Sequence, residues 1–345
     1  MKMKKTILCT TTLILLMLSN KGNCQSQMTM KTIPNISPFK IVLIGSGAVT
    51  IDWGDGKKDN IAISDNYHEY FHFYPNFDST YFITIIGENI KKMQCDYLKI
   101  THLDVSKNPA LTYLYCNSNQ LTDLDISKNI ALTELYCGFN QLKKLDVTKN
   151  KKLETLICHN NQLTNLDISE NTELTFLDCS DNQLTNLNAS NNTELTELMC
   201  CDNNLTNLDI SKNTLLVRLV CRKNQLSDLD IRQNTLLMYL ICENNQLTNL
   251  DISKNTILRT LHCENNQLTN LDASKNTLLE ELYCSHNNFS DTALNILFET
   301  LNQIEEEEGW AFIHITGNPG TSTCNKTIAE KKGWIVIDTN NQINK

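Results

Sequence analysis

The chain has 345 residues, with 30 lysines and arginines against 39 aspartates and glutamates, a formal charge of −9. So acidic a surface speaks against nucleic acid as a partner, because phosphates demand basic patches. Beyond residue 24 no apolar run approaches the ~20 residues that span a bilayer, so no transmembrane segment is expected in the body of the chain.

Residues 1–24 open with Lys2, Lys4 and Lys5, continue through the apolar run Leu13–Leu18 and end in Gly22-Asn23-Cys24. This is the layout of a secretory signal peptide, cleaved before Gln25, and it predicts a secreted or cell-surface protein. A lipid anchor on Cys24 is the alternative, although Lys21-Gly22-Asn23 departs from the Leu-small-small pattern that lipoprotein processing reads. Losing this leader removes four lysines and no acid, which takes the charge from −9 to −13.

Residues 25–92 read as a β-rich N-terminal cap. "KIVLIG", "AVTIDWG", "NIAIS" and "YFITIIG" alternate and are rich in β-branched residues between Gly, Asp and Asn turns. Within this stretch "HEYFH", residues 68–72, matches the zinc motif His-Glu-x-x-His. That motif needs a helix, and the aromatic, β-branched text with Pro75 close behind predicts a strand instead. On a strand His68 and His72 stand about 13 Å apart, too far to share a metal. A zinc hydrolase is therefore the weakest functional alternative, with no catalytic residue and no metal ligand assigned. Trp53-Gly54-Asp55-Gly56, His68-Glu69-Tyr70 and Tyr81-Phe82-Ile83-Thr84-Ile85 are similar to the signature of PKD-like β-sandwich domains of surface proteins.

Residues 93–289 form about nine 21-residue units, each holding two copies of one template. Leu132, Leu135, Cys137 and Asn140 follow Leu-x-x-Leu-x-Cys-x-x-Asn; Leu121, Leu124, Ile126 and Asn129 follow Leu-x-x-Leu-x-Ile-x-x-Asn. This double template resembles the leucine-rich repeat, most of all the short variety of bacterial internalin-like surface proteins. The resemblance implies a solenoid of right-handed, mostly parallel-β coils. It also implies that two columns of inward asparagines, Asn119 to Asn287 and Asn108 to Asn276, satisfy backbone groups of adjacent coils. Residues 290–345 read as a C-terminal cap, with Ser290 capping a helix over "SDTALNILFETLNQIEEEEG" and a strand in "WAFIHITGNPG".

A cysteine recurs every 21 residues from Cys95 to Cys284. Strand alternation sends Leu135 and Cys137 to one face and Tyr136 to the other, so the cysteine points into the core. Its counterparts in the other half-repeat are Ile126, Val147 and Ile168, and a free thiol fills such an apolar slot well. Disulfides are the alternative, since neighbouring coils lie about 4.8 Å apart, but in-register Cβ atoms at that spacing exceed the usual ~3.5–4.5 Å of a bridge. A linear column also lacks the four converging ligands of structural zinc. Cys201, beside Cys200, is expected to face outward and to react first.

Two outer faces remain. Asp104, Asp125, Asp146, Asp167, Asp209, Asp230, Asp251 and Asp272 form one column, interrupted by Asn188, with lysines three residues on to offset the repulsion. Calcium binding would need glycine-rich turns that this column lacks, so a solvated face is expected. The strand face varies from coil to coil. Tyr113, Tyr115, Tyr136, Phe176, Arg218, Arg222, Tyr239, Ile241, His262 and Tyr283 put aromatic and arginine side chains there, the types that dominate binding hot spots. The predicted function is recognition of a protein or glycan at a cell surface, without cofactor. An architectural or self-assembling role is the alternative, and the oligomeric state is left open.

Overall fold

The structure, a computed structural model, describes residues 26–33, 38–304 and 310–339. The expected signal peptide with Cys24, and the acidic run 305–309, lie outside the described residues.

Eight strands build the N-terminal part: β1 (Ser26–Thr32), β2 (Phe39–Gly45), β3 (Gly47–Asp52), β4 (Lys58–Ile63), β5 (Glu69–His72), β6 (Tyr81–Gly87), β7 (Ile90–Gln94) and β8 (Ile100–Asp104). One sheet has the order β4-β3-β6-β1-β8, and the other places β2 between β5 and β7. Alternation does what the sequence predicts: β1 and β6 bury every second residue, and Met28, Met30, Ile83 and Ile85 meet Phe39, Ile51 and Trp53 in the core between the sheets. "HEYFH" lies on a strand and not a helix. His72 is buried, stacks on Trp53 with ring centroids 4.7 Å apart and bonds Asp55 through Nε2 at 2.9 Å. Of the two histidines of the motif, only His72 is a structural part of this core; His68 is exposed, and Glu69 pairs with Lys40 at 2.8 Å.

Strand β7 also begins the solenoid, pairing in parallel with β9. Nine three-residue strands follow, β9 to β17: Tyr113–Tyr115, Glu134–Tyr136, Thr155–Ile157, Phe176–Asp178, Glu197–Met199, Arg218–Val220, Tyr239–Ile241, Thr260–His262 and Glu281–Tyr283. Each pairs in register with the next, so that equivalent residues stack at 21-residue intervals. The central leucine of each strand is fully buried and its neighbours are partly covered. Apart from the first unit, whose other half contributes β8, only this half of each unit becomes strand. The Leu-x-x-Leu-x-Ile half turns back without regular structure, its turn closed by bonds such as Asn129 N–H to Ile126 C=O at 2.9 Å.

The two asparagine columns are both inward, with different bonding. Asn140 accepts the Leu121 N–H on Oδ1 and donates Nδ2 to the carbonyls of Cys116, Cys137 and Gly138. Asn129 donates Nδ2 to Val105 and Asn108, but its Oδ1 has no partner, and the same holds from Asn108 through Asn276. One unpaired acceptor per coil costs about 1–3 kcal/mol. Four buried leucines in the same coil, Leu132, Leu135, Leu142 and Leu145, each contribute about 1.5–3 kcal/mol, so the coil tolerates it.

The cysteine column fills the core as unbonded thiols, fully buried from Cys95 to Cys284. Burial lifts the thiols well above their ordinary pKa. Some thiols donate weakly to the next coil, as Cys263 Sγ does to Tyr283 C=O at 3.3 Å. Cys201 departs from expectation: it is 8 % exposed, because the turn after β13 folds it under Arg222.

Ser290 caps α1 (Asp291–Thr300) by accepting the Ala293 N–H. The helix is shorter than predicted. At Leu301 the backbone turns extended, where Lys332 Nζ reaches the carbonyls of Glu299 and Leu301 and the Trp334 indole reaches that of Asn302. Strand β18 (Ala311–His314), the short α2 (Thr327–Glu330) and β19 (Trp334–Ile337) then extend the parallel ladder by two rungs and close its apolar end. No helix among the described residues is long and apolar enough to cross a membrane.

Candidate functional site

In-register pairing stacks the variable outward side chains into columns, and the columns break into three groups. At the N-terminal end Tyr113, Tyr115 and Tyr136 come together. Tyr115 stacks on Tyr136 with centroids 4.3 Å apart, donates its hydroxyl to Glu134, and carries Lys92 Nζ 4.1 Å above its ring. With Ile44, Asp65 and Lys91, the first two tyrosines line a shallow cavity of about 310 Å³ at the junction with the cap.

The central group joins Arg218, Val220, Tyr239 and Ile241. The Arg218 guanidinium lies 4.3 Å over the Tyr239 ring while its Nε stands 3.4 Å from Glu197, and Val220 pairs directly with Ile241. An apolar strip is thereby flanked by a held cation, an arrangement worth ~0.5–1 kcal/mol at an exposed site. Phe176 stands apart from this group, two rungs before Arg218.

Toward the C-terminal end the rings of His262, Tyr283 and His314 stack at 4.1 Å intervals. His314 escaped sequence reasoning because its strand lies outside the 21-residue period, and Lys92, which keeps the period 21 residues before Tyr113, because it falls just ahead of the repeat's expected start at residue 93. Arg222 bonds Glu243 at 3.3 Å, and behind it Glu264 is pushed up to about 7 by burial, with the Glu243 charge adding to the effect. Burial also lowers His262 below the ordinary imidazole range.

The opposite face is uniform for a local reason. Each aspartate accepts the backbone N–H two residues on, as Asp125 does from Ser127 at 2.9 Å, and Asn188 does the same for Ser190 at 3.1 Å. The hydroxyl of the same serine, foremost at Asp167 and Asp251, and this backbone bond, foremost at Asp125, together hold the aspartates below the usual carboxylate range. The expected lysine pairing does not form: among the described residues the one ion pair to this column is Arg232 to Asp230, which draws that carboxyl down to about 2.

Residues 109–150 match the family described as Leucine Rich repeats (2 copies). The fold is that of the leucine-rich repeat. Among solved leucine-rich-repeat structures, the functional domain of InlJ from Listeria monocytogenes, described as including a cysteine ladder, is 35 % identical, with a TM-score of 0.66 over 74 % of this chain. The chain covers 55 % of the InlJ chain. The internalin InlF of Listeria monocytogenes is 21 % identical with a TM-score of 0.56, over 73 % of this chain and 88 % of its own. A leucine-rich-repeat protein of Leptospira interrogans is 24 % identical with a TM-score of 0.60, over 72 % and 66 %. The latter two bear on the fold alone. A comparison with curated proteins returned no match.

Proposed function

We propose that this leucine-rich-repeat protein is an exported, non-enzymatic binding protein that recognises a protein partner at a cell surface through its strand face. One observation carries the reading: within a single chain, side chains of the strand face change from coil to coil while the aspartate face repeats. The central group is the anchor, since Arg218, Val220, Tyr239 and Ile241 combine an apolar strip with a positioned cation, the composition of hot spots. The fold class commonly binds proteins.

The test is capture of partners from host-cell surface extracts by the intact chain, followed by titration of the recovered partner. Arg218→Ala and Tyr239→Ala should each weaken binding by about 2 kcal/mol, some 30-fold, with Asp209→Ala unchanged. Equal affinity for all three variants would remove the strand face from consideration. Capture of glycans alone would replace the protein partner, and polymerisation without capture would favour the architectural role. Mass spectrometry of the secreted N-terminus separates a free Gln25 from a lipidated Cys24.

A further inference from the structure

Donors from two consecutive coils converge at the edge of the strand face. Glu243 and Glu264 each lie two residues beyond the end of their strands, β15 and β16, and His262 is the last residue of β16. One donor atom from each of the three lies within 4.8 Å of the others. Glu243 is 8 % exposed. Its Oε1 meets Arg222 Nη1 at 3.3 Å, but its Oε2 is buried without a partner, as is Oε2 of Glu264. His262 Nδ1 stands 3.7 Å from Glu264 Oε1, beyond hydrogen-bonding distance, and its ring is held against Tyr283. Two buried carboxylate oxygens without a donor, on adjacent rungs, call for a cation. A proton shared between the carboxylates would serve them but would make no use of the imidazole.

We propose that Glu243, His262 and Glu264 form a binding site for a divalent transition-metal ion of the zinc class. The donor set selects the ion: calcium takes six to eight oxygen ligands and magnesium an octahedron of them, whereas zinc accepts an imidazole with carboxylates. Three protein donors leave a fourth position, and the partial exposure of His262 opens it to water or to a side chain of a bound partner. Arg222 holds the far oxygen of Glu243, as outer-shell donors orient ligands, and shares its charge with Asp202 at 3.9 Å. The neighbouring cluster of Asp181, Cys201 and Asp202 is different, because Lys223 at 3.0 Å and Arg222 already neutralise Asp202. A metal site at Glu243, His262 and Glu264 departs from the sequence reading, which assigned no metal ligand.

The test uses metal alone and is therefore independent of the partner-binding reading. The chelator-treated full chain is titrated with zinc(II) by calorimetry, with wild type, His262→Ala and Glu264→Gln compared after confirming equal metal-free melting. One zinc per chain is expected, with affinity falling more than about 100-fold in each variant, since even outer-shell changes cost 10–100-fold. Millimolar calcium should not compete. Cobalt(II) should give visible bands without a thiolate charge-transfer band, which separates this site from the cysteine column. No stoichiometric zinc, binding unaltered in both variants, or a thiolate-dominated cobalt spectrum would overturn the assignment. Glu264→Gln preserves shape, so the test stands if His262→Ala misfolds.

Discussion

The two halves of each coil start from one template and solve different problems. In the cysteine half, backbone groups reach across to the next coil: Cys137 N–H bonds Ile157 C=O at 2.8 Å, and Asn140 ties three carbonyls and one N–H together. In the isoleucine half the backbone turn is closed within the coil, by Asp125 to Ser127 and by Asn129 to Ile126, and the asparagine amide reaches the preceding coil, from Asn129 Nδ2 to Val105 and Asn108. Cohesion between coils is therefore concentrated under the strand face, which frees that face's outward side chains to vary. The aspartate face has a fixed local bond to make in every turn, and so it repeats. The constancy of the aspartate face thus follows from where hydrogen bonds are spent, whereas on the strand face those bonds account for the freedom to vary and not for the aromatic and arginine side chains found there.

The largest expected effect tests that asymmetry directly. Asn203 accepts the Leu184 N–H at 2.9 Å and donates to the carbonyls of Cys179, Cys200 and Cys201. Asn213 makes only the donations to Ala189 and Asn192 and carries an unpaired Oδ1. Asn203→Ala should destabilise by about 3 kcal/mol or more, and Asn213→Ala by about 1–2, because removing Asn213 also removes an unmet acceptor. Chemical denaturation of the two variants measures the gap. Equal losses would mean that the columns are equivalent and the asymmetry is only geometric.

The second expectation concerns the core beneath the strand. The column thiols are fully buried and their pKa is raised, so alkylation of the folded chain should spare them, with half-buried Cys324 modified first and Cys201 lagging behind it. Cys221→Ser should cost about 1–3 kcal/mol, because a hydroxyl in that apolar slot is more expensive to bury than a thiol. Peptide mass mapping after timed alkylation reads the order. Early labelling of Cys137 or Cys221 would show that the ladder opens locally.

Most of the solenoid was legible because its period is strict. Once leucine fixes the inner face, alternation places cysteine inside and tyrosine or arginine outside, and the structure agrees at Leu135, Tyr136 and Cys137. What the period does not encode was missed. It does not say that the residue before each cysteine-half asparagine adopts positive φ, as Phe139 (51°) and Lys223 (49°) do despite their size. That left-handed turn redirects the chain after the strand and carries Cys201 inward. His314 joined the aromatic stack unseen because its strand follows 31 residues after Tyr283, not 21. The Glu243, His262 and Glu264 cluster was visible only as separate outward residues. Their convergence depends on lateral stacking of rungs, and a signal for it existed in the spacing of Glu243 and Glu264 by one period.

The smallest effect separates charge from hydrogen bonding on the repeated face. Asp146 accepts both the backbone N–H and the hydroxyl of Thr148, at 3.0 and 2.6 Å, and Asn188 makes the backbone bond in its own coil without a charge. If the local bond is what the column conserves from coil to coil, Asp146→Asn should be close to neutral. Asp146→Ala should then cost about 0.5–1 kcal/mol, kept small by exposure. The sign of the pH dependence follows from the same bonds. Folded aspartates lie below their unfolded value of about 3.9, so their contribution is complete above pH ~4 and is lost as pH falls through the lowered values, last at Asp230, whose pKa is about 2. Asp146→Ala should show a shallower loss of melting temperature than wild type between pH 4 and 2, because one of the titrating bonds is gone. Were Asp146→Asn as destabilising as Asp146→Ala, the carboxylate charge itself would be required, and a bound cation on this face would become the better account of why the aspartates repeat.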